Sequence, residues 1–181
     1  MTYYSGADCA KAFRTVRRNT IQVALDIPAE HWGFRATPDS LSVHEMLAHL
    51  ASYTTWYLKP HRDEKKSFIS FEDFGNYMGA TKAFEQALDT RDAVLGALET
   101  EGEAFAALLD SMSDETMAEV VSFPEPLPAK TRFEMLLGAK EHEMHHRGQL
   151  MVYERLLGVV PHLTRQRQSM MAARTAENQK N

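Results

Sequence analysis

Apolar residues recur at intervals of three and four positions along most of the chain, which is the period of an amphipathic α-helix. Three of the periodic segments begin with Ser or Thr followed three residues later by an acid, a pair that caps the first turn of a helix. These pairs are Ser5 with Asp8, Ser42 with Glu45, and Thr131 with Glu134. The pattern therefore predicts a helix start at each of the three places.

Prolines mark the ends of the first two predicted helices. The first helix is predicted from Ser5 to just before Pro28, a length of about six turns. Residues 28–40 then have the composition of a loop. The second helix is predicted from Ser42 to Leu58, and Pro60 is expected to end it because proline cannot donate a backbone hydrogen bond.

The middle of the chain is predicted to contain a long connection and a third long helix. Charges, aromatic residues and glycines break the helical period over residues 61–79, although a shorter helix is expected over 77–88. A clear apolar stripe resumes over Thr90–Met112 and predicts the third long helix.

The last part of the chain contains an extended stretch, a fourth long helix and a polar tail. Residues 120–128 include three prolines and are expected to be extended. Thr131 starts a helix that runs to Leu157, where Gly158 takes the usual C-terminal position. The tail over residues 164–181 is polar and compatible with helix.

Four long helices with little strand signal predict an all-α fold, and the most economical architecture is a four-helix bundle. The bundle is expected to form one domain over residues 1–163, followed by the polar tail. The chain has 181 residues, 44% of them hydrophobic and 25% charged, as expected of a globular domain with one buried core. The long connection after the second helix permits a crossover.

Charge and composition exclude several classes of function. The formal net charge is -5 and the longest basic feature is only Arg14 with Arg17 and Arg18, so we expect no nucleic-acid partner. No apolar run approaches the roughly 20 residues that span a bilayer, and residues 1–6 lack signal-peptide features, so we expect a cytoplasmic protein without a membrane partner. The single cysteine, Cys9, excludes a cysteine-rich zinc site and is interpreted as a small packed residue.

Two histidines of the fourth helix have the spacing of a metal-binding pair. His142 and His146 stand four residues apart on one helical face, which places their Cβ atoms about 6 Å apart and lets both imidazoles reach one ion. Two ligands are rarely enough, and His49 is the best third candidate because it lies within the apolar stripe of the second helix. The alternative is that each histidine is hydrogen-bonded in or near the core without a metal.

The other histidines are weaker candidates. His145 lies on a different helical face from His142 and His146, and His44 falls in the first turn after Ser42. His31, His61 and His162 are predicted to lie in loops or at helix ends and are interpreted as surface residues.

The segment from His142 to His146 also satisfies H-E-x-x-H, in which two histidines bind zinc and the glutamate, here Glu143, is the general base of a protease. The metzincin extension would need Gly and His where this chain has Gln149 and Val152. A zinc protease is therefore the less favoured interpretation.

Two segments resemble motifs of a known family, the DinB-like (DinB and YfiT-like) metalloenzymes of bacteria. One is Ser42-Val43-His44-Glu45-Met46-Leu47-Ala48-His49-Leu50, and the other is His142 through Leu150 with its His-His-Arg-Gly-Gln-Leu ending. The resemblance covers roughly Gly6 to Leu157. It implies a bundle with a crossover between the second and third helices, commonly a homodimer, and it implies His49, His142 and His146 as metal ligands. Relatives include thiol-dependent transferases and isomerases.

Three neutral imidazoles leave a divalent ion with at least one open coordination position, as in catalytic rather than structural zinc sites. The first hypothesis is therefore a metal-dependent enzyme that acts on a small molecule by thiol transfer or hydrolysis, with a low-molecular-weight thiol as a possible cosubstrate. Zinc or nickel is expected first, and iron or copper also suits three imidazoles. Weaker candidates for catalytic or substrate-binding roles are Glu143, Arg147, Gln149 and Tyr153. The competing hypothesis is a non-catalytic metal-binding or stress-associated dimer.

Overall fold

The computed structural model describes residues 4–178, most of which are helical. Short connecting elements are a 3₁₀ turn at Ala29–His31, a π-helical turn at Lys59–Asp63, and the antiparallel strands β1 (Val120–Val121) and β2 (Lys130–Thr131). The α-helices are α1 (Gly6–Asp26), α2 (Val43–Tyr53), α3 (Thr55–Leu58), α4 (Phe71–Ala87), α5 (Arg91–Asp110), α6 (Asp114–Ala118), α7 (Arg132–Leu156) and α8 (His162–Asn178).

Four of these helices, α1, α2, α5 and α7, form a bundle. Around its perimeter α1 packs on α5, α5 on α2, α2 on α7, and α7 on α1. One half of the core is centred on Phe13 and Phe105, whose rings meet edge to face at 4.8 Å, and the other half contains Leu47, Leu98 and Leu150. The predicted all-α four-helix bundle is confirmed.

The crossover between α2 and α5 contains a longer helix than the sequence pattern predicted. Helix α4 begins at Phe71 rather than Tyr77, because Ser70 and Asp73 form a complete capping box that the apolar period did not reveal. Only Tyr77 and Thr81 of α4 are buried, which explains the weak period. The helix packs on α2 and α3 and so covers one side of the bundle.

The α-helical backbone ends at Leu58, as predicted, but Pro60 does not end the helical conformation of the chain. The chain passes from α2 through α3 into the π-helical turn, in which the amide of Glu64 donates to the carbonyl of Lys59 at 3.0 Å. Pro60 is the second residue of this turn. Its carbonyl accepts from the amide of Lys66 at 2.8 Å.

The remaining elements agree with the pattern in part. The capping boxes at Ser5, Ser42 and Thr131 are all present, and Gly158 has a φ of 78° at the end of α7. The short helix α6 was not predicted. Helix α8 takes up most of the polar tail, of which residues 179–181 lie outside the described residues. The domain boundary at residue 163 stays a prediction. None of the helices within residues 4–178 combines the length and apolar character needed to cross a membrane.

Candidate metal centre

The structure brings the three predicted ligands together between two helices of the bundle. His49 comes from α2, and His142 and His146 come from successive turns of α7, which packs against α2. One ring nitrogen from each histidine lies within 4.8 Å of one from each of the others. All three side chains are half-buried, so the cluster lies at the edge of the core.

A carboxylate from the crossover helix orients His49. Glu85 of α4 accepts a hydrogen bond from Nδ1 of His49 at 2.9 Å, and because a carboxylate can only accept, Nδ1 must carry the proton. Nε2 of His49 is then left with a lone pair, and it lies 2.8 Å from Nε2 of His142. This carboxylate–histidine arrangement is the usual support of a metal-binding imidazole.

Glu85 is itself held by its neighbours. Lys82 donates to one carboxylate oxygen, and Ser52 donates to the other at 3.4 Å. Burial acts in the opposite direction, but the hydrogen bonds from Lys82 and His49 lower the pKa of Glu85 below its usual value. Glu85 is therefore anionic at neutral pH and can balance part of the charge of a cation at the histidines.

Gln149 orients the third histidine in a similar way. Its amide oxygen lies 2.7 Å from Nδ1 of His146, so Nδ1 donates and Nε2 keeps a lone pair. The amide nitrogen of Gln149 lies 3.3 Å from Nε2 of His145, which keeps the amide in this orientation. Gln149 is thus the one weaker candidate that contacts a predicted ligand.

Burial and mutual proximity favour the neutral form of His142 and His146. Burial, followed by the charges of His146 and His49, lowers the pKa of His142 to about 4, and burial also lowers the pKa of His146. The ring of Tyr53 stacks on that of His142 at 3.7 Å between centroids and shields one of its faces. Neutral imidazole is the form that binds a metal.

The donor set fits a divalent metal ion. Two ligand atoms of one tetrahedral zinc ion lie about 3.3 Å apart; in the cluster, Nε2 of His49 lies 2.8 Å from Nε2 of His142, and all three nitrogens lie within 4.8 Å of one another. The ligands are three imidazole nitrogen donors, two of which have their remaining ring nitrogen bonded to an acceptor. The arrangement has both the ligands and the outer partners that a catalytic ion needs.

A cleft of about 380 Å³ follows α7 toward its start; none of the three histidines lines it, and Tyr53 connects it to them. Tyr53, which stacks on His142, forms its near wall, and Gly138 lies one helical turn before His142. Most of the other lining residues are aromatic or apolar, among them Trp56, Tyr57, Phe74 and Phe123. The cleft is large enough for a small organic molecule.

Comparison with known proteins identifies the family. The family model described as the DinB superfamily matches residues 12–150, which include all three histidines. The chain belongs to the DinB superfamily. The resemblance of the two histidine motifs is thereby confirmed.

Relatives of this DinB chain share its fold. It is 25% identical over 150 residues to the YjoA protein of Bacillus subtilis, covering 81% of this chain and 86% of YjoA. The crystal structure of YjoA superimposes with a TM-score of 0.62 at 21% identity, covering 83% of this chain and 91% of YjoA. The colibactin self-resistance protein ClbS, solved in complex with double-stranded DNA, gives 0.63 at 17% identity, covering 86% and 98% of the two chains. A protein from Streptococcus pneumoniae gives 0.62 at 18% identity, covering 86% and 93%. These structural likenesses show the fold alone.

Glu143 of the DinB chain takes part in a buried ion pair. Its two carboxylate oxygens each accept from Nε of Arg17 at 3.0 Å, and both side chains are almost fully buried. Arg17 also donates to the carbonyls of Leu98 and Leu50, so this pair ties α1 to the other three helices of the bundle. These contacts give Glu143 a structural role and do not support the general base of the H-E-x-x-H interpretation.

The other two weaker candidates also contact the scaffold. Arg147 donates to the carbonyl of Val16 on α1 at 3.4 Å, and the hydroxyl of Tyr153 donates to the carbonyl of Leu41 at 3.0 Å. Neither residue is among the partners of the three histidines in the described hydrogen bonds. These hydrogen bonds to backbone carbonyls explain the positions of Arg147 and Tyr153.

Two histidines that were interpreted as surface residues are buried. His61 is 2% exposed beneath Arg132, and His162 is 5% exposed beside Asn19. The prediction failed at His61 because the π-helical turn continues past Pro60 and directs the ring inward. Cys9 is buried, as predicted, and burial raises the pKa of its thiol.

Proposed function

We propose that this DinB protein is a metal-dependent enzyme that acts on a small molecule by thiol transfer or hydrolysis. Its metal ligands would be His49, His142 and His146, with zinc or nickel as the first candidates and iron or copper as alternatives. The observation that carries the proposal is the convergence of three ring nitrogens within 4.8 Å, one of them oriented by the carboxylate of Glu85.

A bound divalent ion would supply Lewis acidity, which lowers the pKa of a water molecule or thiol into the neutral range. The residues of the chain supply the rest of the site. Glu85 and Gln149 keep two imidazoles in the tautomer that presents Nε2, and Tyr53 shields His142 from solvent. The aromatic cleft would hold the apolar part of the substrate next to the histidines.

The wall of the cleft also contains a buried hydrogen-bond donor that has no acceptor within residues 4–178. The indole Nε1 of Trp56 is buried without a partner there. A carbonyl or similar acceptor on the substrate would satisfy it, and this would orient the molecule relative to the histidines. The expected substrate is therefore a small, partly apolar molecule that carries an acceptor group.

Metal content tests whether the three histidines bind a metal. Wild type and the His49→Ala, His142→Ala and Glu141→Ala variants are purified identically and analysed by elemental mass spectrometry. Metal should be present in wild type and in Glu141→Ala, an exposed control on α7, and should be lost from the other two variants. Equal metal content in wild type and His49→Ala would remove His49 from the site.

Turnover tests whether the protein is an enzyme. Model electrophiles are assayed with bacillithiol, mycothiol or glutathione, and ester and amide substrates are assayed in parallel. Activity should require metal and fall to background in His142→Ala. A protein that binds metal while His142→Ala leaves every detected rate unchanged is instead a non-catalytic metal-binding or stress-associated protein.

The proposal retains a cytoplasmic location, a homodimer and the absence of a nucleic-acid partner. The net charge of -5 supports the last point. Because ClbS was solved in complex with double-stranded DNA, DNA binding by this protein should be tested by titrating it into a fluorescently labelled duplex at low salt. Light scattering coupled to size-exclusion chromatography measures the oligomeric state.

A further inference from the structure

A second cavity, of about 620 Å³, lies at the start of α7. It is enclosed by the π-helical turn, the end of α5, α6 and the first residue of α7. Arg132, in its wall, precedes His142 by ten residues, which is about 15 Å along a helix. Neither the three clustered histidines nor Tyr53, which stacks on His142, lines it, so this cavity is separate from the candidate metal centre.

Two buried donors in the cavity wall lack an acceptor. Nη1 of Arg132 lies 2.8 Å from Nδ1 of His61, and because arginine can only donate, Nδ1 accepts and Nε2 of His61 carries the proton. Within residues 4–178, Nε2 of His61 and Nε of Arg132 are buried without a hydrogen-bond partner. Both side chains are 2% exposed. Buried donors without an acceptor are rare in folded proteins and call for an explanation.

The charge of the lining is predominantly positive. Arg62, Lys65 and Arg132 contribute three cations, and Glu119 is the single carboxylate among the described lining residues. Glu119 is already bound to Nη2 of Arg132 at 2.8 Å, and Arg62 pairs with the adjacent Asp63. Lys65 is exposed and forms no ion pair within the described part of the chain, so its ammonium group is free for an anion.

The backbone around these residues is unusual in two ways. His61 belongs to the π-helical turn, and such turns frequently occur at functional sites. Lys65 has a φ of 50°, the left-handed conformation that non-glycine residues seldom adopt, and it is the one such residue within residues 4–178. Sparsely populated backbone conformations cluster at ligand-binding segments. Both features shape the wall that holds the unpaired donors.

We propose that this cavity binds the oxyanion of a small metabolite, a phosphate or a carboxylate, through His61, Arg132 and Lys65. Oxyanion oxygens are acceptors and would satisfy the two unpaired N–H groups after a small adjustment of the wall, while Lys65 and Arg62 would balance the charge. The cavity is larger than a bare ion requires, so the ligand would be a phosphorylated or carboxylated organic molecule. This site does not depend on a metal at the histidine cluster.

Calorimetric titration of the full chain tests the proposal, with inorganic phosphate, glycerol phosphate and succinate as probes at constant ionic strength. Saturable binding of the phosphates alone identifies a phosphate site, and saturable binding of succinate alone identifies a carboxylate site. Binding of both defines a general oxyanion site. Chloride alone at the same ionic strength should give no saturable signal, and the absence of saturable binding by all three probes would overturn the proposal.

Three variants locate the bound anion. Lys65→Asn removes the charge and keeps a residue that tolerates the left-handed backbone, so affinity should fall about tenfold with the fold intact. Lys11→Gln, an exposed position on α1, is the matched control and should bind as wild type does. His142→Ala should also bind normally. Undiminished affinity in Lys65→Asn, or loss of binding in His142→Ala, would show that the anion binds elsewhere and would refute the site.

Discussion

Single side chains outside the histidine cluster determine what the cluster can bind. Glu85 is the clearest case, because its carboxylate accepts from Nδ1 of His49 while Lys82 and Ser52 hold it in place. An imidazole fixed in this tautomer presents its lone pair to a metal without a further loss of rotational freedom. The strength of metal binding should therefore depend on a residue that does not itself bind the ion.

Replacing Glu85 should weaken metal binding without unfolding the protein. We expect Glu85→Ala to lower metal affinity by about 10- to 100-fold, the usual effect of removing the outer partner of a histidine ligand. Glu85→Gln keeps an acceptor oxygen near Nδ1 of His49 and should lose less metal affinity than Glu85→Ala. Competition with a chromophoric chelator measures the affinity, and circular dichroism checks the fold. An affinity of Glu85→Ala equal to that of wild type would exclude this role.

A site residue could be predicted from the sequence when its contacts depend on one helix, and could not when they depend on how helices pack. His142 and His146 could be paired from sequence because one helix sets their separation, and His49 could be added because it lies on an inward-facing stripe. Glu85 could not be chosen among the 25 acidic residues, since its contact depends on where the crossover helix packs. For Glu143, the short motif suggested a base, whereas its ion pair with Arg17 exists only once α1 and α7 meet.

The pair of Arg17 and Glu143 should matter for stability rather than for metal binding. Removing one partner of a buried ion pair leaves an uncompensated charge, so Glu143→Ala should lower the free energy of unfolding by about 3–5 kcal/mol. The double variant Arg17→Met with Glu143→Leu should be more stable than Glu143→Ala, because neither charge remains buried alone. Urea denaturation followed by circular dichroism measures both.

Glu141→Ala, an exposed neighbour on α7, is the control for that experiment and should change stability by less than about 0.5 kcal/mol. The folded fraction of Glu143→Ala should keep wild-type metal content and turnover. A stable Glu143→Ala variant with abolished turnover would restore the general-base interpretation.

At the scale of elements, helix α4 links the crossover to the metal centre. It begins at the Ser70–Asp73 capping box and carries Glu85 near its other end. Gly75 and Gly79 lie on its exposed surface and lower its intrinsic helix propensity. The cap should therefore contribute measurably to the stability of this helix.

Ser70→Ala should lower the free energy of unfolding by about 1 kcal/mol, because the amide of Asp73 loses its acceptor in the first turn. Ser67→Ala is a matched control on the same connection and should change it by less than about 0.5 kcal/mol. Chemical denaturation measures both, and amide hydrogen exchange should show faster exchange in the first turns of α4. Equal stability of the two variants would argue against the cap.

Elements were predictable from sequence where a cap and an apolar period coincide. This held at Ser5, Ser42 and Thr131, each of which starts a helix with a buried face. It failed at α4, where a correct cap precedes a helix that is mostly exposed. It also failed after Pro60, because a π-helical turn accommodates the proline that an ordinary helix interior would exclude.

At the scale of the whole molecule, we expect stability to vary with pH because of one buried acid, Glu154, which lies far from the cleft. Glu154 of α7 is fully buried, and neither carboxylate oxygen has a hydrogen-bond partner within residues 4–178. Burial, reinforced by the charge of Asp26, raises the pKa of Glu154 to about 7 from its usual 4.5. The folded protein therefore retains a proton over a range of pH in which the unfolded chain has lost it.

A pKa that is higher in the folded state gives stability that is complete below about 4.5 and is lost as the pH rises through about 7. Glu154→Gln has no carboxyl group at this position to ionise, so it does not lose this stability as the pH rises. The stability of Glu154→Gln relative to wild type should therefore increase by about 2 kcal/mol between about pH 5 and about pH 8. Histidine titration is common to both proteins and cancels in the difference. Denaturation curves at several pH values measure it, with the exposed Glu99→Gln as a control whose difference from wild type stays constant. Parallel pH profiles for wild type and Glu154→Gln would mean that Glu154 is ionised in the folded protein.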